Sequence, residues 1–170
     1  MSKNFAKLYI ANVSALENEE LFSKAYSVVP KERQEKVDKC KFLSDKCMSL
    51  GAGLLLEYAK GENEGYYSLS HSGGYSICLA SSSVCGCDIE RLRENVDYKK
   101  LAKRYFDKEV SSLDEFITLW TRYESNFKAG KIDRCFYKTL DEVPGFKIST
   151  CLSEDIDLSI ENITISSIIK

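Results

Sequence analysis

The spacing of hydrophobic positions changes along this chain, and each change marks an element. Residues 7–13 (KLYIANV) form a short run of β-branched and aromatic side chains that predicts a first strand. From 17 to 27, Leu21, Phe22 and Tyr26 fall on one side of a helix that Ser14 could cap and Pro30 ends. Residues 31–60 return to helical spacing, with Phe42, Leu43, Leu50, Leu54, Leu55 and Tyr58 as the apolar stripe and a break near Ser44, where a second N-cap could sit. A polar stretch, 60–65 (KGENEG), predicts a turn. Strand patterns follow at 66–70 (YYSLS), 75–80 (YSICLA) and 84–89 (VCGCDI), forming a meander. Helical spacing resumes over 95–108 and 113–128, and the tail carries strand patterns at 146–152 (FKISTCL) and 163–169.

This order predicts an α+β fold in two similar α/β halves, residues 1–82 and 83–170. Composition agrees with a globular chain: 44% of residues are hydrophobic and 29% charged. A formal net charge of −2 supplies no field to recruit nucleic acid or an anionic membrane. The first five residues lack the apolar core of a signal peptide and no stretch is long and uncharged enough to span a bilayer, so the expectation is a cytoplasmic protein. Seven scattered cysteines without paired metal-ligand spacing, and a single histidine, fit free thiols better than disulfides or a zinc site.

Three pieces carry chemistry. In Cys87-Asp88-Ile89-Glu90, strand alternation sends both carboxylates to one face, where their repulsion calls for a hard cation such as magnesium; taken alone, a solvated edge strand would read the same way. Glu124 and Lys128 stand four apart on one helical face beside Trp120 and Phe127, a spacing also common in exposed surface pairs. Ser70-His71-Ser72-Gly73-Gly74 puts a histidine and hydroxyls at a strand end next to glycines, a setting suited to phosphate, although a lone histidine in a turn is often structural.

Their order, SLSHSGG, CGCDIE, then LWTRYESNFK, resembles the 4′-phosphopantetheinyl transferase superfamily of the surfactin-synthetase-activating type. Supporting stretches are Glu32-Arg33, Ala102-Lys103-Arg104-Tyr105-Phe106 and Gly145-Phe146-Lys147, so the resemblance spans most of the chain. It implies two halves related by a pseudo-twofold with the active site between them. It also implies a monomer that moves the phosphopantetheine arm of coenzyme A onto a serine of an acyl or peptidyl carrier protein, releasing adenosine 3′,5′-bisphosphate.

By that resemblance Asp88, Glu90 and Glu124 would hold Mg2+, Glu124 would act as base and Lys128 would stabilise the departing phosphate. Ser70, His71, Lys46, Arg33 and Lys36 would contact coenzyme A. Seven lysines and arginines against three acidic residues over 91–108 would face the acidic carrier.

The chain departs from the family pattern at Tyr123, where a lysine is usual, and at Lys60-Gly61, which lacks the following proline. After Lys128 the usual glycine-lysine-glycine loop is reduced to Ala129-Gly130-Lys131. These departures leave open a degenerate relative that binds coenzyme A or a carrier without efficient transfer.

Overall fold

The computed structural model describes residues 4–169; the first three residues, read above for a leader, and the last lie outside the described residues. The chain is α+β, with seven strands in two sheets and five α-helices among those residues. The first half runs β1 (Ala6–Asn12), α1 (Glu19–Val28), α2 (Lys31–Asp38), α3 (Leu43–Glu62), β2 (Tyr66–Ser72) and β3 (Tyr75–Ser81). The second runs β4 (Cys85–Arg91), α4 (Tyr98–Phe106), α5 (Leu113–Lys128), β5 (Phe136–Leu140), β6 (Phe146–Leu152) and β7 (Leu158–Asn162). The sheets are ordered β2-β3-β1-β7 and β4-β6-β5.

Strand β1 is buried on both faces, which explains its nearly unbroken apolar run. Leu8 and Ile10 enter a core between the two sheets with Ile77, Leu79, Cys87, Ile89 and Ile148. Tyr9, Ala11 and Val13 face the opposite way, into a core with Leu50, Leu54 and Leu55 of α3. A third, smaller cluster of Ala102, Val110, Phe116 and Ile117 ties α4 to α5.

Several boundaries differ from expectation for local reasons. Residues 14–17 form a 3-10 turn, and Asn18 caps α1 by accepting from the Leu21 amide at 3.0 Å, so Ser14 is not the cap. The break between α2 and α3 falls at 39–42, and α3 starts after extended Phe42 without a side-chain cap; Ser44 lies inside the helix. The expected strand over 163–169 is displaced. β7 pairs with β1 in parallel only as far as its last contact, the Ile163 amide on the Ile10 carbonyl at 2.8 Å. The chain then turns, and Ile165, Ile168 and Ile169, at helical spacing, pack onto the helical core, so burial overrides their β-branched preference.

β5 escapes the sequence pattern because it is a five-residue edge strand with only partial burial. Cys135 and Cys151 are paired in a disulfide, with a Cα separation of 5.6 Å, which corrects the expectation of seven free thiols; Cys40, Cys47, Cys78, Cys85 and Cys87 remain unpaired. Among the described residues no helix is long and apolar enough to cross a membrane.

Candidate functional site

β4 carries the site because its two faces have different tasks. Cys87 and Ile89 point into the core between the sheets, and Gly86, Asp88 and Glu90 point to the other side, as alternation predicts. Their register partners on β6, Cys151, Ser149 and Lys147, share that face, and α5 lies across it. Thr121 and Ser149 hydroxyls meet at 2.8 Å beneath the helix. At Gly86 the helix comes closest: a Cβ there would stand 1.8 Å from the Ser125 carbonyl oxygen. A glycine two residues before Asp88 is therefore a packing requirement.

Asp88 is only 4% exposed. Its Oδ1 accepts from the Ser70 hydroxyl at 2.8 Å and from Lys128 Nζ at 2.7 Å, and Lys128 also donates to the Cys87 carbonyl at 3.2 Å. Its Oδ2 is buried with no partner. An unmet carboxylate oxygen in a dry setting is costly and is an available ligand for a cation. Glu90 accepts from the Ser72 hydroxyl at 3.2 Å.

Burial pushes the pKa of Asp88 upward, against the pull of Lys128 and Ser70. Burial also raises Glu90, and the charge of Asp88 adds to the effect. The carboxylates therefore sense each other, the situation a divalent ion relieves.

The expected third metal ligand is not drawn in. Glu124 is half-buried on α5, and its carboxylate makes no hydrogen bond or ion pair with the described residues. No three His, Cys, Asp or Glu side chains among those residues form a metal-ligand group. The i, i+4 partner of Glu124, Lys128, is instead taken up by Asp88. The structure thus joins Asp88, Glu90 and Lys128 and leaves Glu124 apart.

His71 lies on the exposed side of β2, opposite Ser70 and Ser72, yet surrounding chain desolvates its ring and lowers its pKa. The charges of Lys128 and Arg33 push the same way and Asp45 opposes them, so β2, α5 and α2 contribute to one electrostatic neighbourhood. Arg33 is half-buried, packed where a Cβ on Gly53 would collide with its side chain, and its guanidinium makes no hydrogen bond or ion pair with the described residues. It lines a cavity of about 160 Å³ with Lys36, Lys60 and Glu57. Lys36 is exposed and paired with Glu32 at 3.0 Å; Lys46 is half-buried near the start of α3. Ser70, expected to meet coenzyme A, is turned inward and engaged with Asp88.

A second cavity, about 350 Å³, has Glu90 in one wall and Arg91, Arg93, Tyr105, Phe116 and Trp120 in the others. Tyr123, standing where the resemblance calls for lysine, is 47% exposed and packs edge-on against Phe106. The cysteines near the site are unsuited to nucleophilic work: burial pushes Cys87 up to about 11 and Cys85 up to about 12, holding both as thiols at neutral pH.

Sequence reasoning placed Ser72 in the motif at the strand end without its role of holding Glu90, and missed Ser68, whose hydroxyl accepts from the Cys87 amide at 3.0 Å. The signal available was the alternation Ser68-Leu69-Ser70-His71-Ser72, which puts three hydroxyls on one side of a strand. In comparisons with known proteins, no family model matches the chain and no curated protein matches it significantly.

Proposed function

We propose that this protein is a magnesium-dependent 4′-phosphopantetheinyl transferase, moving the arm of coenzyme A to a serine of an apo carrier protein. The observation that carries the reading is the state of Asp88: a buried carboxylate with one unpartnered oxygen, beside Glu90 and bonded to the lysine that the transferase motif places four residues after its glutamate. A buried carboxylate oxygen without a partner is expensive unless a ligand completes it.

In this reading Asp88 and Glu90 hold Mg2+, with Glu124 as the third contributor. When bound, the ion would draw charge from the coenzyme's pyrophosphate and so favour phosphoryl transfer. Lys128, on the same helical face as Glu124, neutralises charge on the leaving phosphate, and Glu124 removes the proton of the carrier serine. Arg33, Lys36 and Lys46 supply the cationic side for the coenzyme phosphates and His71 a ring N–H donor; the half-buried Arg33 guanidinium makes no hydrogen bond or ion pair with the described residues, which supports this role. Ser70 serves from behind, by holding Asp88. Arg91, Arg93 and the basic face of α4 receive the acidic carrier.

The architecture supports the accompanying view of two related halves. The strand orders β2-β3-β1 and β5-β6-β4 repeat one arrangement, with α3 laid on the first and α5 on the second. A pseudo-twofold between residues 1–82 and 83–170 would put the site at their junction, and β7 crosses that division to join β1.

Incubating the protein with coenzyme A, Mg2+ and a panel of apo carriers should add the mass of the arm to a carrier, and Glu124→Gln should abolish the product. Carriers left unmodified across the panel would sink the proposal. Tyr123, an exposed aromatic in the usual place of a cation, favours a second reading in which coenzyme or carrier is bound without efficient transfer. Magnesium-dependent coenzyme binding in calorimetry, without product on long incubation, would select it.

A further inference from the structure

The two carboxylates of the site are held from the other sheet. β4 pairs along one side with β6, and β2 pairs along one side with β3, so each brings a free edge to the boundary between the sheets. No ladder joins those edges; hydroxyls span the gap. The Ser68 hydroxyl accepts from the Cys87 amide at 3.0 Å, Ser70 from the Ile89 amide at 3.4 Å and Ser72 from the Arg91 amide at 3.3 Å. The offset in sequence is 19 residues each time, so the strands run parallel and in constant register.

Two of these serines do a second thing. Each has one proton to give, and gives it to a carboxylate: Ser70 to Asp88 at 2.8 Å and Ser72 to Glu90 at 3.2 Å. Each hydroxyl thus grips a site side chain and the amide of the next residue. A carboxylate fixed at its tip and at the adjoining backbone has little freedom to swing, and both grips come from β2. Ser68 differs, because its hydroxyl meets an amide and no carboxylate.

We propose that Ser70 and Ser72 are positioning residues that set the separation and orientation of Asp88 and Glu90 for cation binding, through a hydroxyl seam between the two sheets. The inference rests on the transferase reading for what the carboxylates bind, and on the seam alone for how they are held. Alanine at 72 strands an amide hydrogen and a Glu90 oxygen together, and alanine at 70 strands the Ile89 amide and leaves Asp88 Oδ1 to Lys128 alone; threonine keeps the hydroxyl.

The test combines amide hydrogen exchange with calorimetry of Mg2+ binding, on the wild-type protein and the variants S68A, S70A, S72A and S72T. Exchange at Ile89 should rise about tenfold in S70A, and at Arg91 in S72A, the equivalent of one lost hydrogen bond of about 1.4 kcal/mol. Magnesium affinity should fall about tenfold in both, stay unchanged in S68A and recover in S72T. Should S70A fail to fold, S72A at the strand end carries the comparison. Unchanged exchange at Ile89 and Arg91 overturns the seam whatever the protein binds. Normal affinity despite lost protection overturns the positioning role. A wild-type protein that neither binds magnesium nor modifies a carrier overturns the transferase reading, and with it the positioning role; the exchange data then decide whether the seam stands.

Discussion

Gly86 sits directly under the carbonyl of Ser125, with room for a hydrogen and nothing larger: a Cβ there would stand 1.8 Å from that oxygen and 2.8 Å from the Ala129 amide nitrogen. This contact fixes how near α5 comes to β4, and so how far Lys128 must reach to Asp88.

Gly86→Ala should therefore cost about 3 kcal/mol in urea unfolding, the upper range for overpacking, because the obstacle is backbone and cannot rotate away. Gly61→Ala is the control. It lies within α3, where an added methyl group would meet nothing within 4 Å, and should stabilise by about 0.5–1 kcal/mol. Equal effects of the two changes would show that the helix is not seated on Gly86.

Glu90 gives a pH prediction with a definite sign. Its folded-state pKa is raised, first by burial and then by Asp88, so its favourable contribution to folding is fully present below its unfolded value and is lost as pH rises through the raised one. Glu90→Gln removes that loss and can keep a hydrogen bond from Ser72. The variant should be more stable than wild type at pH 7 and lose the advantage near pH 4. Thermal melts across that interval will check it, and a variant less stable than wild type at neutral pH would contradict it.

Lys147 makes an asymmetric prediction. Its side chain is 6% exposed and reaches Asp114 at 2.7 Å and Asp141 at 2.5 Å, whose side chains are 61% and 75% exposed. Burial opposes its charge, but the two aspartates overcome this and raise its pKa, so its contribution to stability is full below about pH 10.5 and disappears as pH climbs through the raised value. Lys147→Met leaves two hydrated carboxylates and should cost under about 1 kcal/mol. Asp114→Asn with Asp141→Asn strands a buried ammonium and should cost about 3 kcal/mol. Denaturant curves showing the reverse order would refute this account.

His71 is the single histidine of the chain, so its imidazole signals are unambiguous. Desolvation, with help from Lys128 and Arg33, should make it titrate below 6.5 in NMR. Lys128→Met should move it upward, and coenzyme A, by bringing phosphate charge, should move it upward further. A midpoint insensitive to both would place His71 outside the anion-binding region.

Much of the site was legible in the sequence because it depends on short periods. Residues 113–128 and 146–152 are helix and strand as their spacing indicates, and the alternation at 86–90 correctly sends Asp88 and Glu90 to one face. What was not legible depends on packing between distant segments. Helical spacing joins Lys128 to Glu124, but the buried carboxylate of Asp88, 40 residues away, is the stronger attraction for its ammonium group. Ser72 and Ser68 gain their roles only when β2 lies beside β4, which no local pattern records. The terminal isoleucines look like a strand by composition and fold as a turn because the helical core needs covering.

The parallel pairing of β7 with β1 also governs how the chain can be made and divided. Residues 158–162 must leave the ribosome before Ala6–Ile10 acquire their second neighbour, so the first sheet is the last to be finished although three of its four strands are synthesised first. A fragment ending near residue 82 would expose a hydrophobic edge inviting aggregation, and one beginning there would carry a strand with nothing to join. Mixed together, the two fragments should recover by complementation what neither can hold alone.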